Sequence, residues 1–201
     1  MVDLSSRLRE IRELVDEGAY FVINRARQYG KTTILHAMAK AMADSYFVIR
    51  LDFQVLGGAS YTDENTFSRA FASCFVKAAE LYDKNLAKEH PVIGRLRDVE
   101  EKEDSYFDLQ KLFQILKEFC RSAEKPVVMM VDEIDSAQNN QVFLDFLAQM
   151  RNCYLEREAV GAPAFQSVIL AGVYDVKNLK RKIRQDEEQR LNSPWNIAAK
   201  F

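Results

Sequence analysis

Leu4, Leu8, Ile11, Leu14 and Val15 recur at steps of three and four, the spacing of an amphipathic helix from Ser5-Ser6 onward, and Gly18 supplies a C-cap after it. Tyr20 to Ile23 is a short apolar run of strand type, followed by a polar loop and then by helix formers from Thr33 to Met42. β-branched and aromatic residues from Tyr46 to Phe53 predict a second strand, closed by a turn at Gly57-Gly58. Phe67, Phe71, Phe75, Ala78, Ala79 and Tyr82 then mark a long helix, and Leu109, Leu112, Phe113, Leu116 and Phe119 another. The charge run from Arg97 to Asp104 between them reads as a solvated connection between helices. Val127 to Val131 is continuously apolar, the mark of a central parallel strand buried on both faces. A further helix is expected from about Gln141 to Glu158 through Phe143, Leu147, Met150 and Tyr154, and a fourth strand from Ser167 to Ala171.

Strands alternating with helices predict an α/β fold in which a mainly parallel sheet is covered by helices on both faces, a three-layer α/β/α arrangement. Ligands of such sheets bind at the carboxyl ends of the strands. At 201 residues the chain suits a single core domain spanning 1–201, large enough to bury a stable core without staples.

Charge alters this picture little. Charged residues make up 29% and nearly balance at a formal net charge of -2, so no global field recruits nucleic acid or an anionic membrane. The cationic segment Lys177, Lys180, Arg181, Lys182, Arg184 runs straight into Asp186-Glu187-Glu188 and reads as a solvated helix, leaving nucleic-acid binding open but unsupported. Cys74, Cys120 and Cys153 are odd in number and far apart, which argues against a disulfide framework or a paired-cysteine zinc site and for small buried hydrophobes. With no apolar run near the ~20 residues of a membrane span and no signal peptide, the cytoplasm is the expected compartment and no membrane partner is expected.

The candidate chemistry lies in two short segments. Arg25-Ala-Arg-Gln-Tyr-Gly30-Lys31-Thr32 falls between the first strand and its helix, where backbone N–H groups and a helix N-terminus converge on phosphate oxygens. Arg27, Gln28, Tyr29, Gly30, Lys31, Thr32 and Thr33 are therefore the candidate nucleotide contacts. Lys31 is placed for the β- and γ-phosphates, and the Thr32 hydroxyl for Mg²⁺. The G-x-x-x-x-G-K-[ST] pattern is incomplete, because Arg25 stands where the first glycine belongs. Arg25 and Arg27 either rim the site or pair with acidic residues on neighbouring loops. A lysine at a helix start opposes the helix dipole unless an anion compensates, which favours a phosphate site.

The second segment is the apolar strand ending in Asp132-Glu133, a Walker B pattern. Asp132 is placed to hold the water shell of Mg²⁺, and Glu133, one step on, to polarise an attacking water. The bland alternative is a strand that ends in solvated carboxylates. Asp135 stands either at one remove from the ion or on the surface. Sharing one hydrated ion requires the Val127–Val131 strand to lie parallel and close to Tyr20–Ile23, with Asp132 roughly 4–6 Å from Thr32.

Tyr20 to Thr33, Val131-Asp-Glu-Ile-Asp135, Ala171 to Lys180 and Ser193-Pro-Trp-Asn-Ile-Ala198 together resemble the bacterial AAA-like ATPases, P-loop NTPases related to AAA+ and signalling ATPases. The resemblance covers nearly the whole chain and implies a P-loop NTPase fold, ATP with Mg²⁺ as cofactors, and Lys31 and Glu133 as catalytic residues. A missing first glycine is ordinary in that family. AAA+ relatives also place Asn, Thr or Ser after the fourth strand to sense the γ-phosphate, whereas Gly172-Val-Tyr-Asp175 offers none and Asn178 is a weak substitute. No lid domain or arginine finger is evident before Phe201, so the chain reads as a core fragment of a longer protein. The leading function is ATP hydrolysis coupled to conformational change. The alternative is a nucleotide-gated switch with little or no hydrolysis, and a homo-oligomer or protein partner stays open in either case.

Overall fold

The computed structural model describes residues 4–24, 31–83, 88–101, 106–137 and 140–172. In chain order the elements are α1 (Leu4–Asp16), β1 (Tyr20–Asn24), α2 (Lys31–Met42), β2 (Phe47–Asp52), α3 (Glu64–Tyr82), α4 (Pro91–Glu101), α5 (Leu109–Ser122), β3 (Val127–Asp132), α6 (Gln141–Val160) and β4 (Ser167–Gly172). Short 3₁₀ turns at Phe53–Val55, Gly58–Tyr61 and Ile134–Ala137 link them. The four strands form one parallel sheet in the order β1-β4-β3-β2.

Side-chain alternation divides the interior into two cores, since successive residues of a strand point to opposite faces. Phe21, Ile23, Val48, Val128, Met130, Ile169 and Ala171 pack with Ile11, Val15, Ile34, Leu35, Met38 and Met42 of α1 and α2. Tyr20, Val22, Ile49, Leu51, Val127, Met129, Val131, Val168 and Leu170 face the larger layer of α3, α4, α5 and α6. A sheet covered on both sides explains why β3 and β4 are buried at every position. The expected three-layer α/β/α arrangement is therefore the one observed.

Two local expectations need correction. The charge run does not begin as a connection: Arg97 to Glu101 completes α4, whose Val92, Ile93 and Leu96 are buried while Arg97 pairs with Glu80 of α3 at 2.9 Å. Val92 and Ile93 with Leu96 one turn on form a short apolar stripe on a helix whose other face is charged. Of the cysteines, only Cys153 is fully buried, while Cys74 and Cys120 are half-buried. Burial still pushes the Cys120 thiol up and that of Cys153 to about 11, so both remain protonated at neutral pH and neither is a ready nucleophile.

At the amino end of the sheet, opposite the expected site, Arg157 ties three segments together. Its guanidinium donates to the carbonyls of Phe165 at 2.6 Å, Gln166 at 2.7 Å and Gly18 at 2.6 Å, and stacks 5.4 Å and 5.0 Å from the ring centres of Tyr20 and Tyr154. Gly18 has a φ of +75°, a conformation that favours glycine, and a Cβ there would lie 2.9 Å from an Arg157 nitrogen and so press on the guanidinium. Arg157→Ala is expected to lower unfolding free energy by roughly 2–3 kcal/mol, because it strands carbonyls that a charged fork now satisfies. Arg157→Lys should recover little, since an ammonium neither forks across three acceptors nor stacks. A urea titration followed by circular dichroism checks both.

Candidate functional site at the carboxyl edge of the sheet

All four strands end at one edge, with Asn24 of β1 in register with Gly172 of β4, and Asp52 of β2 in register with Asp132 of β3. α2 begins at Lys31, seven residues after β1 ends, so its N-terminus rises from this same edge. The first turn of α2 carries Lys31, Thr32 and Thr33. Thr33 is exposed. The proposed nucleotide contacts Arg27, Gln28, Tyr29 and Gly30, together with Arg25, lie outside the described residues, as do the side chains of Lys31 and Thr32.

Asp132 is the last residue of β3 and is only 7% exposed. Strand alternation puts it on the side of Val128 and Met130, the side covered by α2. The carboxylate is thus buried on the face of the sheet that α2, with Lys31 and Thr32 in its first turn, covers. One Asp132 oxygen accepts from the Glu133 backbone N–H at 2.9 Å. Glu133 has a φ of 55°, the one positive value at a non-glycine among the described residues. Left-handed backbone costs roughly 1–2 kcal/mol at a residue with a Cβ. That conformation turns the chain sharply off the strand into the Ile134–Ala137 turn. Glu133 itself is half-buried at the bend.

β3 is parallel to β1, as expected, but it is not its neighbour: β4 lies between them. Two strand spacings of about 4.8 Å separate β1 from β3, a gap that a triphosphate with a hydrated ion can span. Beside Asp132, a cavity of about 350 Å³ runs along the outer strand β2, lined by Leu35 and Ala39 of α2, by Val48, Arg50 and Asp52 of β2, and by Met130. Arg50 stands 2.9 Å from His36 Nδ1. Arginine offers only donors, so in this contact the guanidinium donates and the imidazole Nδ1 accepts. Asp52 accepts from the Gln54 N–H and starts the turn after β2. None of these three residues stood out in the sequence. The one available signal was two charges, Arg50 and Asp52, at alternate positions of a strand, which marks an edge strand with one polar face.

Hard oxygen donors suit Mg²⁺, which keeps several waters and takes one or two carboxylates beside phosphate oxygens. The buried Asp132 carboxylate together with a threonine at the start of α2 fits that demand. The parallel order, the helix rising after β1 and the carboxylate ending β3 define a P-loop-type α/β domain.

The family profile described as "AAA-like domain" matches residues 5–175. The chain belongs to the AAA-like domain family, which places it among nucleotide-binding, ATPase-like domains. No curated protein matches it in sequence. Among solved structures, Cdc6p from Pyrobaculum aerophilum is similar at 11% identity and a TM-score of 0.47, over 85% of this chain and 39% of that one. The chain thus spans about two fifths of the length of that protein. Among the described residues, no helix is long and apolar enough to cross a membrane.

Proposed function

We propose that this domain binds ATP with Mg²⁺ at the carboxyl edge of its sheet and hydrolyses the β–γ phosphoanhydride to drive a conformational change. The observation that carries this reading is Asp132: a buried carboxylate at the end of a central parallel strand, on the face where α2 rises directly after β1. In this reading the loop Arg27-Gln-Tyr-Gly30 and the first turn of α2 wrap the phosphates, and the Lys31 ammonium neutralises charge on the β- and γ-phosphates. Thr32 supplies a hydroxyl oxygen and Asp132 a carboxylate to hold Mg²⁺, which when bound screens the phosphate charge. Glu133 takes the proton of the attacking water from the bend just past Asp132.

Lys31→Ala tests the reading. ATP binding measured by isothermal titration is expected to fall by at least about 100-fold, because a desolvated ammonium–phosphate contact contributes on the order of 3 kcal/mol. An unchanged titration would remove the phosphate loop from the site.

A further inference from the structure

We propose that the open edge of β2 is a docking site for an extended peptide segment of a partner protein, taken up as an added strand of the sheet. Among the described residues β2 ends the sheet, because β3 pairs it on one side only. The Phe47 N–H donates to the Pro126 carbonyl at 3.0 Å, on the β3 side. Backbone groups alternate in direction along a strand, so the N–H and C=O of Val48 and Arg50 point the other way, into the open edge. Among the described residues, no backbone group bonds them there.

The cavity of about 350 Å³ lies on this edge. It touches Ala39 of α2 on one face of the sheet and Ala78 and Leu81 of α3 on the other, and one cavity meets the layers of both faces only by passing around an outer strand. Ala39, Ala43 just past α2, and Ala78 flank it with no more than methyl groups, which leaves a slot beside the strand. Leu81 stands at its margin, 87% exposed, more than any other large apolar side chain described. β2 carries neither the lysine nor the proline that commonly keeps an edge from pairing, and Arg50 is turned to His36 of α2.

The slot selects its occupant. Val48 is only 5% exposed although its strand is outermost, so the edge is recessed between α2 and α3. A second copy of the domain carries the same overhanging helices, each about 10 Å across, and these would collide before two β2 edges came within the ~4.8 Å of a strand pair. A lone strand has no such flanks. Its alternate side chains meet unlike walls: Ala78 and Leu81 on the α3 side suit apolar residues, and Arg50 on the α2 side suits an acidic residue directly opposite. The partner segment therefore alternates apolar with polar residues, an acid among them. Main-chain hydrogen bonds supply its affinity and the two walls its specificity.

Amide NMR of the full chain titrated with the capped peptide Val-Glu-Val-Thr-Val tests this. At saturation the Val48 and Arg50 amides should shift and exchange with solvent at least about 10-fold more slowly, whereas Ile49 and Leu51, whose amides point to β3, should exchange as before. N-methylating the peptide amides that face β2 should weaken binding by at least about 10-fold, through the loss of two such bonds. Leu81→Asp, at an exposed position, should also weaken it while leaving the urea midpoint unchanged. A peptide that leaves the Val48 and Arg50 amides unmoved, or that binds equally well when N-methylated, overturns the proposal. So does a concentration-dependent dimer in sedimentation whose formation protects the same two amides, since that gives the edge to a second copy.

Discussion

Glu133→Gln is expected to slow phosphate release by about 10²- to 10⁴-fold while leaving Mg²⁺-ATP affinity unchanged. The amide preserves the size of the side chain and its place at the bend, but it cannot accept the proton of an attacking water. Backbone geometry makes the comparison clean: residue 133 already sits at a φ of 55°, and glutamine meets the same left-handed cost as glutamate, so the fold should be equally stable in both. Single-turnover phosphate release at saturating Mg²⁺-ATP, paired with equilibrium binding, checks the two halves separately. Equal turnover in parent and variant would take Glu133 out of the mechanism. A parent that binds Mg²⁺-ATP without turning it over would favour the nucleotide-gated switch instead.

Phe146→Ala is expected to cost about 3–5 kcal/mol of stability, a large share of what a domain of this size possesses. Phe146 is 1% exposed and lies 5.4, 5.1, 5.4 and 6.3 Å from the ring centres of Phe67, Phe71, Phe113 and Phe143. It therefore joins α3, α5 and α6 in a single aromatic cluster. Removing the ring leaves a cavity that those rigid neighbours cannot fill by collapse, so the cost should lie above that of simple transfer. For a chain near 200 residues the loss corresponds to a fall in Tm of roughly 6–20 °C. Differential scanning calorimetry checks it, and a shift of under about 2 °C would mean that the cluster repacks freely. Nucleotide affinity near Tm should fall with stability, whereas well below Tm it should not change.

Much of the layout could be read along the chain because its determinants are local. β3 and β4 are buried on both faces, so each appears as an unbroken apolar run, and both were located to within a residue. α6 ran two residues past its expected end, to Val160, and stopped where Gly161 adopts a left-handed φ of 69°. β2 starts one residue later than expected, at Phe47, because Tyr46 belongs to the turn and pairs with Asp16 through its hydroxyl at 2.6 Å. α4 was misread because its charged face outnumbers the three buried residues that hold it, and a count of charge hides a short apolar stripe.

By itself the sequence determined the strand–helix alternation, the family resemblance and the two segments, Gly30-Lys31-Thr32 and Asp132-Glu133, that bear the candidate chemistry. Each depends on residues adjacent in the chain, whose spacing sets which groups can meet a phosphate or an ion. Tertiary structure alone decided that β4 separates β1 from β3, because the order of parallel strands depends on crossovers between segments distant in sequence. It also decided that Asp132 faces α2, since a strand apolar on both sides carries no mark of which face meets which layer. The approach of Asp135 to Gly172 is of the same kind: it joins residues 37 positions apart through a bend at Glu133, and no local pattern encodes a contact that exists only once β4 has paired beside β3.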